Sequence, residues 1–355
     1  MNIFYTSRYG AFEQVGGDTL HMETIAHQLQ ALGHHVFLER WPLNGQQPDV
    51  IHHFNLGRPE LALKAMKQFP KVPFVIQTIF VDFSPTDRTS PLRNFLLGIL
   101  KEGRIEMLKE LARWSKGQRA FPYWRYLFNG HQHTIQKILQ HSSLVLSASR
   151  VEFSSVSSRF KLTNDKFHLS LPPLRAPFDS SIRFEPQMRT GGICIGRLEP
   201  LKNQLALIAA WDTARYGPLH IVGDPSPNHQ SYAAKCRKLG LPKGIVFLPH
   251  QSPEKLLTLL RTKKVHVLLS SYETTGLATV EALANGCQAV VSDHPIQQEI
   301  FNQHVHFANT GASTSIKQAI ESALHDESDH SAWAREKFNA ASIAAHIEQL
   351  YKGLL

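Results

Sequence analysis

The chain has 355 residues, more than one hydrophobic core ordinarily fills, and its 42% hydrophobic share excludes a disordered chain and implies two domains. A formal charge of +9 favours anionic partners: a phosphorylated small molecule, an anionic membrane surface or nucleic acid. The sequence lacks zinc-finger spacing, an RNA-binding aromatic signature and a groove-reading basic helix, which sets nucleic acid aside; it also has no uncharged apolar run of the about 18 residues a membrane helix needs.

The chain opens with a strand-like run at 2–5. No leader pattern precedes it, so a cytoplasmic location is expected, and the isolated Cys194, Cys236 and Cys287 fit a reducing compartment. A loop carrying Gly16, Gly17 and Asp18 leads into a helix predicted over 19–32, with Ile25, Leu29 and Leu32 on one face and Gly33 as its stop. A strand at 34–38 completes a βαβ unit. Strands follow at 49–53 and 72–79, with a helix over 60–69 between them. Residues 84–141 read as an insertion. Between Pro85 and Lys137 lie ten Lys or Arg and four Asp or Glu, interleaved with Phe95, Trp114, Phe121, Tyr123, Trp124, Tyr126 and Phe128. Such a segment suits a helical pair packed on the domain by its apolar face, or a surface docking on anionic lipid headgroups or a sugar or lipid diphosphate. A strand at 144–149, a helix at 150–160 and a strand at 166–170 close the first domain. Pro172, Pro173 and Pro177 mark the boundary, and 179–189 reads as irregular.

A fresh strand at 192–196 ends in Gly196 and runs into Arg197, Leu198 and Lys202. Two cations directly after a buried strand suit an anionic ligand better than plain surface cations at a loop, since Arg offers a planar fork and Lys a point charge. Strands at 219–223, closing on Gly223-Asp224, and at 245–248 precede a helix over 253–261 and a strand over 265–269. The stretch 270–286 is the centre of the chain. Glu273 lies in a strand-to-helix loop, and Thr274, Thr275 and Gly276 stand at a helix N-terminus. Leu277, Val280, Glu281 and Ala284 run down that helix to Gly286. Unpaired N–H groups and the helix dipole there point toward one bound anion. The strand at 288–292 is read as the last. Helices are predicted over 313–324 and from 332, where Phe338, Ile343, Ile347 and Leu350 recur at helical spacing.

Glu273 and Glu281, with seven residues between them and Gly276-Leu277 inside, resemble the signature of the retaining glycosyltransferases of the family 4 type. The resemblance implies the α/β GT-B fold: two Rossmann-like domains facing across a cleft, with a final helix crossing back to the first. On that reading 1–175 is the acceptor-side domain, 190–330 binds the nucleotide sugar, and 331–355 returns. It also implies that Glu273 touches donor-sugar hydroxyls, that Glu281 binds the ribose, and that Arg197 and Lys202 hold the diphosphate. Gly16, Gly17, Gly196, Gly223, Thr274, Thr275, Gly276 and Leu277 would let backbone approach the donor. Arg197, Lys202 and Glu273 are thus the candidate catalytic residues. His250 is a weaker candidate for the base.

The sequence departs from that family in three places. Phe80 stands where a histidine near the anomeric carbon is usual, with Asp82 and His53 as nearby candidates to replace it. Gln288 stands in place of a proline, and His294-Pro295 in place of a glycine pair before Glu299. The expected activity is transfer of a hexosyl group, with retention, from a UDP- or GDP-type nucleotide-diphosphate sugar to a glycan or lipid-linked acceptor in polysaccharide or lipopolysaccharide synthesis. No further cofactor is expected. No Asp-x-Asp metal anchor occurs, and neither His131-x-His133, on an extended segment, nor His304-x-His306 has a ligand cluster at metal spacing. Location peripheral to the inner membrane face would follow from the basic charge. The competing readings are a nucleotide-sugar epimerase, a nucleotide-sugar-binding paralogue without turnover, and a phosphorylase-like enzyme, which would need a lysine-bound pyridoxal phosphate for which no lysine motif is present.

Overall fold

The structure, a computed structural model, describes residues 1–40, 46–80, 130–180 and 189–355. Asp82, most of the 84–141 insertion and most of the irregular 179–189 stretch lie outside the described residues. The chain divides into two compact units, Met1–Pro173 with Ala340–Leu355, and Leu174–Asn339.

Unit 1 contains, in order, β1 (Asn2–Thr6), α1 (Gly17–Ala31), β2 (His35–Leu38), β3 (Val50–Phe54), α2 (Glu60–Gln68), β4 (Phe74–Gln77), α3 (His131–His141), β5 (Leu144–Ser147), α4 (Arg150–Phe160) and β6 (Phe167–Leu169). The six strands pair in parallel in the order β2-β1-β3-β4-β5-β6. β3, β4 and β5 are buried along their whole length, as strands covered on both faces must be. One face packs Phe4, Ile51, Ile76 and Val145 against α2, α3 and α4. The other packs Ile3, Tyr5, Val50 and Val75 against Met22, Ile25 and Leu29 of α1. The described end of the insertion is helical, so His131 and His133 lie two apart on α3 rather than on an extended segment, and they do not share a side.

Unit 2 holds β7 (Gly192–Ile195), α5 (Gln204–Ala210), α6 (Thr213–Tyr216), β8 (Leu219–Val222), α7 (Gln230–Gly240), β9 (Val246–Leu248), α8 (Pro253–Thr262), β10 (Val265–Leu268), α9 (Leu277–Ala284), β11 (Gln288–Ser292), α10 (Pro295–Phe301), β12 (His306–Ala308), α11 (Ser313–His325) and α12 (Ser331–Lys337). Its parallel sheet runs β12-β11-β10-β7-β8-β9. This is the doubly wound order, which reverses between β7 and β10 and opens a crevice at the carboxyl ends of those strands. The strand at 288–292, expected to be the last, is not the edge of this sheet. In the structure β12 adds an edge strand, three residues long and only partly buried, too short for a periodic signal.

The closing stretch, read as one helix from 331, is two. α12 ends at Lys337, because Phe338 leaves helical geometry (φ −105°, ψ 24°) to become fully buried. Asn339 bridges in parallel to Leu174, whose N–H donates to Phe338 O at 2.7 Å. The last helix, α13 (Ala340–Lys352), belongs to unit 1. Ala344, Ile347 and Tyr351 pack into the α1 side of its core. Tyr351 Oη lies 2.5 Å from His52 Nδ1 and 3.1 Å from Tyr5 Oη, all buried. No helix among the described residues is long and apolar enough to cross a membrane.

Candidate functional site

The crevice of unit 2 gathers most of the predicted site. β7 and β8 end side by side in Gly196 (φ 153°) and Gly223 (φ 145°). A Cβ on Gly223 would stand 2.2 Å from Gly196 O, so only glycine lets the two strand ends lie this close. A Cβ on Gly196 would meet the Lys202 side chain at 3.7–3.8 Å, which places the lysine stem along that glycine. Lys202 closes a short 3₁₀ turn, and Asn203 follows in the left-handed region (φ 53°) before α5 starts.

Across the switch point, the loop after β10 delivers Glu273. Lys202 Nζ donates to Glu273 Oε2 at 2.5 Å, and Ser270 Oγ donates to the same oxygen at 3.2 Å. The two loops are tied by backbone as well, with Ser271 N–H donating to Leu201 O at 2.8 Å. The pair is partly screened from water, with 20% and 18% of the side chains exposed. Beneath it, His266 on β10 is fully buried. Burial, then the nearby Lys202 charge, push its pKa down to about 3, so it is neutral near pH 7.

Gly276 caps α9 with φ 82°, a conformation that turns the chain into the helix. Thr275 is buried and Thr274 half-buried beside it, and Leu277 is the first helical residue. The first N–H groups of α9 have no acceptor within the helix and carry its positive dipole end. Gln297 on α10, buried, donates from Nε2 to Glu273 O and Thr275 O, each at 3.4 Å, and so braces this loop from below. Sequence reasoning missed Gln297; a lone amide on the apolar face of Ile296, Ile300 and Phe301 is the signal that could have found it.

Glu281 lies farther along α9. It is buried and paired with Arg175, whose Nε donates to Oε1 at 2.8 Å. Burial pushes the Glu281 carboxyl upward, and Arg175 opposes that shift. Arg197, by contrast, has 54% of its side chain in solvent and lies 3.9 Å from Glu199, while its backbone O accepts from Gln204 Nε2. Asp224, after Gly223, accepts the His250 N–H at 3.3 Å.

Gly16 and Gly17 sit in unit 1, where Gly16 caps α1 and Gly17 is its first residue. Arg8 and Asp18 lie against Gly16: Arg8 Nε donates to Asp18 Oδ2 at 2.8 Å, and Asn55 Nδ2 donates to the same oxygen at 2.9 Å. Burial raises the Asp18 pKa, but these partners outweigh it and hold the carboxyl below the usual range.

The departures from the family pattern have structural explanations. Phe80 is buried, its N–H donates to Glu152 Oε1 at 2.9 Å, and its ring packs edge-on against Phe160. His53 is spent on Thr6 Oγ1 and the carbonyls of Asn55 and Arg58, all within 3.2 Å. It serves the core of unit 1, and burial pushes its pKa down to about 4. Gln288 donates to Ser328 O at 2.6 Å, fixing the start of β11. His294 caps α10 by accepting from the Ile296 N–H, and its ring meets Tyr272 edge-on at 5.2 Å. Among the described residues no cluster of three or more His, Cys, Asp or Glu could hold a metal ion. His304 pairs with His330, and His306 with Asp326.

Residues 182–348 match the model of the family described as Glycosyl transferases group 1. The serotype-specific mannosyltransferase WbdA of Escherichia coli is 26% identical over 231 residues, which cover 60% of this chain and 28% of WbdA. The chain thus spans about a quarter of that curated relative. The crystal structure of Anabaena HepE in complex with UDP and glucose superposes with a TM-score of 0.71 at 15% identity, covering 99% of this chain and all of that one. WaaG, a glycosyltransferase involved in lipopolysaccharide biosynthesis, superposes with a TM-score of 0.63 at 14% identity over 99% and 100% of the two chains. The chain therefore has the GT-B fold, and its residues 182–348 carry the sequence pattern of the group 1 glycosyl transferases.

Proposed function

We propose that the protein is a retaining, metal-independent glycosyltransferase. It moves a hexosyl group from a UDP- or GDP-type nucleotide-diphosphate sugar to a glycan or lipid-linked acceptor. The observation that carries this reading is the Lys202–Glu273 pair, set between the glycine ends of β7 and β8 and the N-terminus of α9. A diphosphate in that crevice meets the Lys202 ammonium, the exposed Arg197 and the free N–H groups of α9. Negative charge grows on it as the sugar–phosphate bond breaks, and fixed donors stabilise that change with little reorganisation. Glu273 accepts from donor-sugar hydroxyls and Glu281 from the ribose, each through charge-assisted bonds. In retention the leaving diphosphate takes the acceptor's proton on the face it departs from.

Three findings support the reading: the group 1 family match, a mannosyltransferase among the relatives, and a structural neighbour solved with UDP and glucose. WaaG and the net charge of +9 favour a lipopolysaccharide or polysaccharide acceptor at an anionic membrane face. A second reading, binding without turnover, draws on Phe80 being buried where a histidine is usual. A donor screen with mass-detected products separates the two. Calorimetric titration of Glu281→Ala and Lys202→Ala with the donor found by that screen tests the site, and unchanged affinity in both variants refutes it.

A further inference from the structure

Arg175 sits in the segment by which the chain enters unit 2, and that segment is held on either side of Arg175. Leu174 N–H donates to Phe338 O, and Asn285 Nδ2, at the C-cap of α9, donates to Phe178 O at 2.9 Å. Phe178 is fully buried, and the Arg175 guanidinium lies over its ring at 5.0 Å. The guanidinium is therefore placed by packing before any ligand arrives. From there its Nε reaches Glu281 Oε1 at 2.8 Å, with 20% of the arginine and 5% of the glutamate side chain exposed. A carboxylate this deep in the protein is costly to keep ionised without a matched cation. The bond engages one carboxylate oxygen and leaves the other as an acceptor.

We propose that Arg175 is a positioning residue for donor binding: it holds Glu281 by Oε1 so that the second oxygen accepts from a ribose hydroxyl of the nucleoside diphosphate. This rests on the function proposed above. It assigns a role in the site to a residue of the proline-rich boundary, 106 positions before its partner.

The test is calorimetric titration of the wild type, Arg175→Ala and Arg175→Lys with UDP and GDP and with their 2′,3′-dideoxy counterparts, alongside thermal unfolding of each protein. The wild type is expected to prefer the ribonucleotide. Arg175→Ala should weaken ribonucleotide binding about tenfold or more while the dideoxy analogue binds within about twofold of wild type. Arg175→Lys, which keeps the charge, should recover most of the preference. Equal losses for both nucleotides in Arg175→Ala would reveal a merely structural tie and overturn the inference. So would a preference undiminished in Arg175→Ala, which would leave the proposed function standing. A wild type that binds both nucleotides equally overturns the ribose role of Glu281 itself, and one that binds neither overturns the donor site.

Discussion

Replacing Gly223 by alanine would strike the crevice without touching a charged group. The added Cβ would lie 2.2 Å from Gly196 O and 2.8 Å from its carbonyl carbon, both backbone atoms that cannot swing aside. Ordinary contact needs about 3.5 Å, so the ends of β7 and β8 must part by roughly 1 Å. The φ of 145° adds backbone strain of about 1–3 kcal/mol for a non-glycine residue. The displacement passes to Lys202, whose stem rests on Gly196, and so to the Lys202–Glu273 contact. Misplacement on that scale lowers kcat/KM by about a hundredfold, and nucleotide affinity is expected to fall about tenfold. Gly244→Ala is the matched control. Its φ is 75°, but its Cβ would meet only Thr213 Cγ2 at an ordinary 3.7 Å, so it should cost stability and leave binding unchanged. Calorimetric titration with UDP and GDP, beside thermal unfolding, reads both effects. Binding by Gly223→Ala within twofold of wild type would refute the reasoning.

Other outcomes follow from the same geometry. Glu273→Gln should keep the melting temperature within about 2 °C yet lower donor-dependent turnover at least a hundredfold, read by mass detection of product; full turnover would remove Glu273 from the site. Tyr351→Phe strands His52 Nδ1 and Tyr5 Oη in the core of unit 1 and should cost about 1–3 kcal/mol in urea unfolding; a loss near zero would mean that the pair is not held by the hydroxyl. Burial pushes the pKa of His21 to about 3, of His53 to about 4 and of His52 well below its ordinary 6.5, so each is neutral when folded and takes up a proton when unfolded. Stability is therefore fully present above pH 6.5 and drains as pH falls toward those values, by about 1.4 kcal/mol per pH unit for each histidine. His266 of unit 2 adds a fourth fully buried group shifted in the same direction, so the urea midpoint should fall between pH 7.5 and 5.5; equal urea midpoints at the two pH values would contradict this.

Much of the crevice was legible because its residues follow strands that carry their own signal. β10 is an apolar run broken only by His266 and closed by a polar loop, so Glu273 and the start of α9 could be located from neighbouring residues alone. Lys202 was legible for the same reason after β7. The missed features depend on contacts between residues far apart in the sequence. Phe80 is held by residues far along the chain: Glu152, 72 residues on, takes its N–H, and its ring packs against Phe160. Arg175 meets Glu281 through a segment without period or secondary structure. α5, α6 and α7 are short or weakly patterned, and the break at Phe338 comes from burial of one ring rather than from a glycine or proline.

The bridge between Leu174 and Asn339 makes the entry and exit of unit 2 immediate neighbours. The unit is in effect a cassette spliced into the chain at a single spot, the arrangement in which domain insertion is best tolerated. A corresponding 174–339 segment from another protein of this fold could be grafted at that junction without a new linker, exchanging one such unit for another while α13 and the rest of unit 1 keep their own packing.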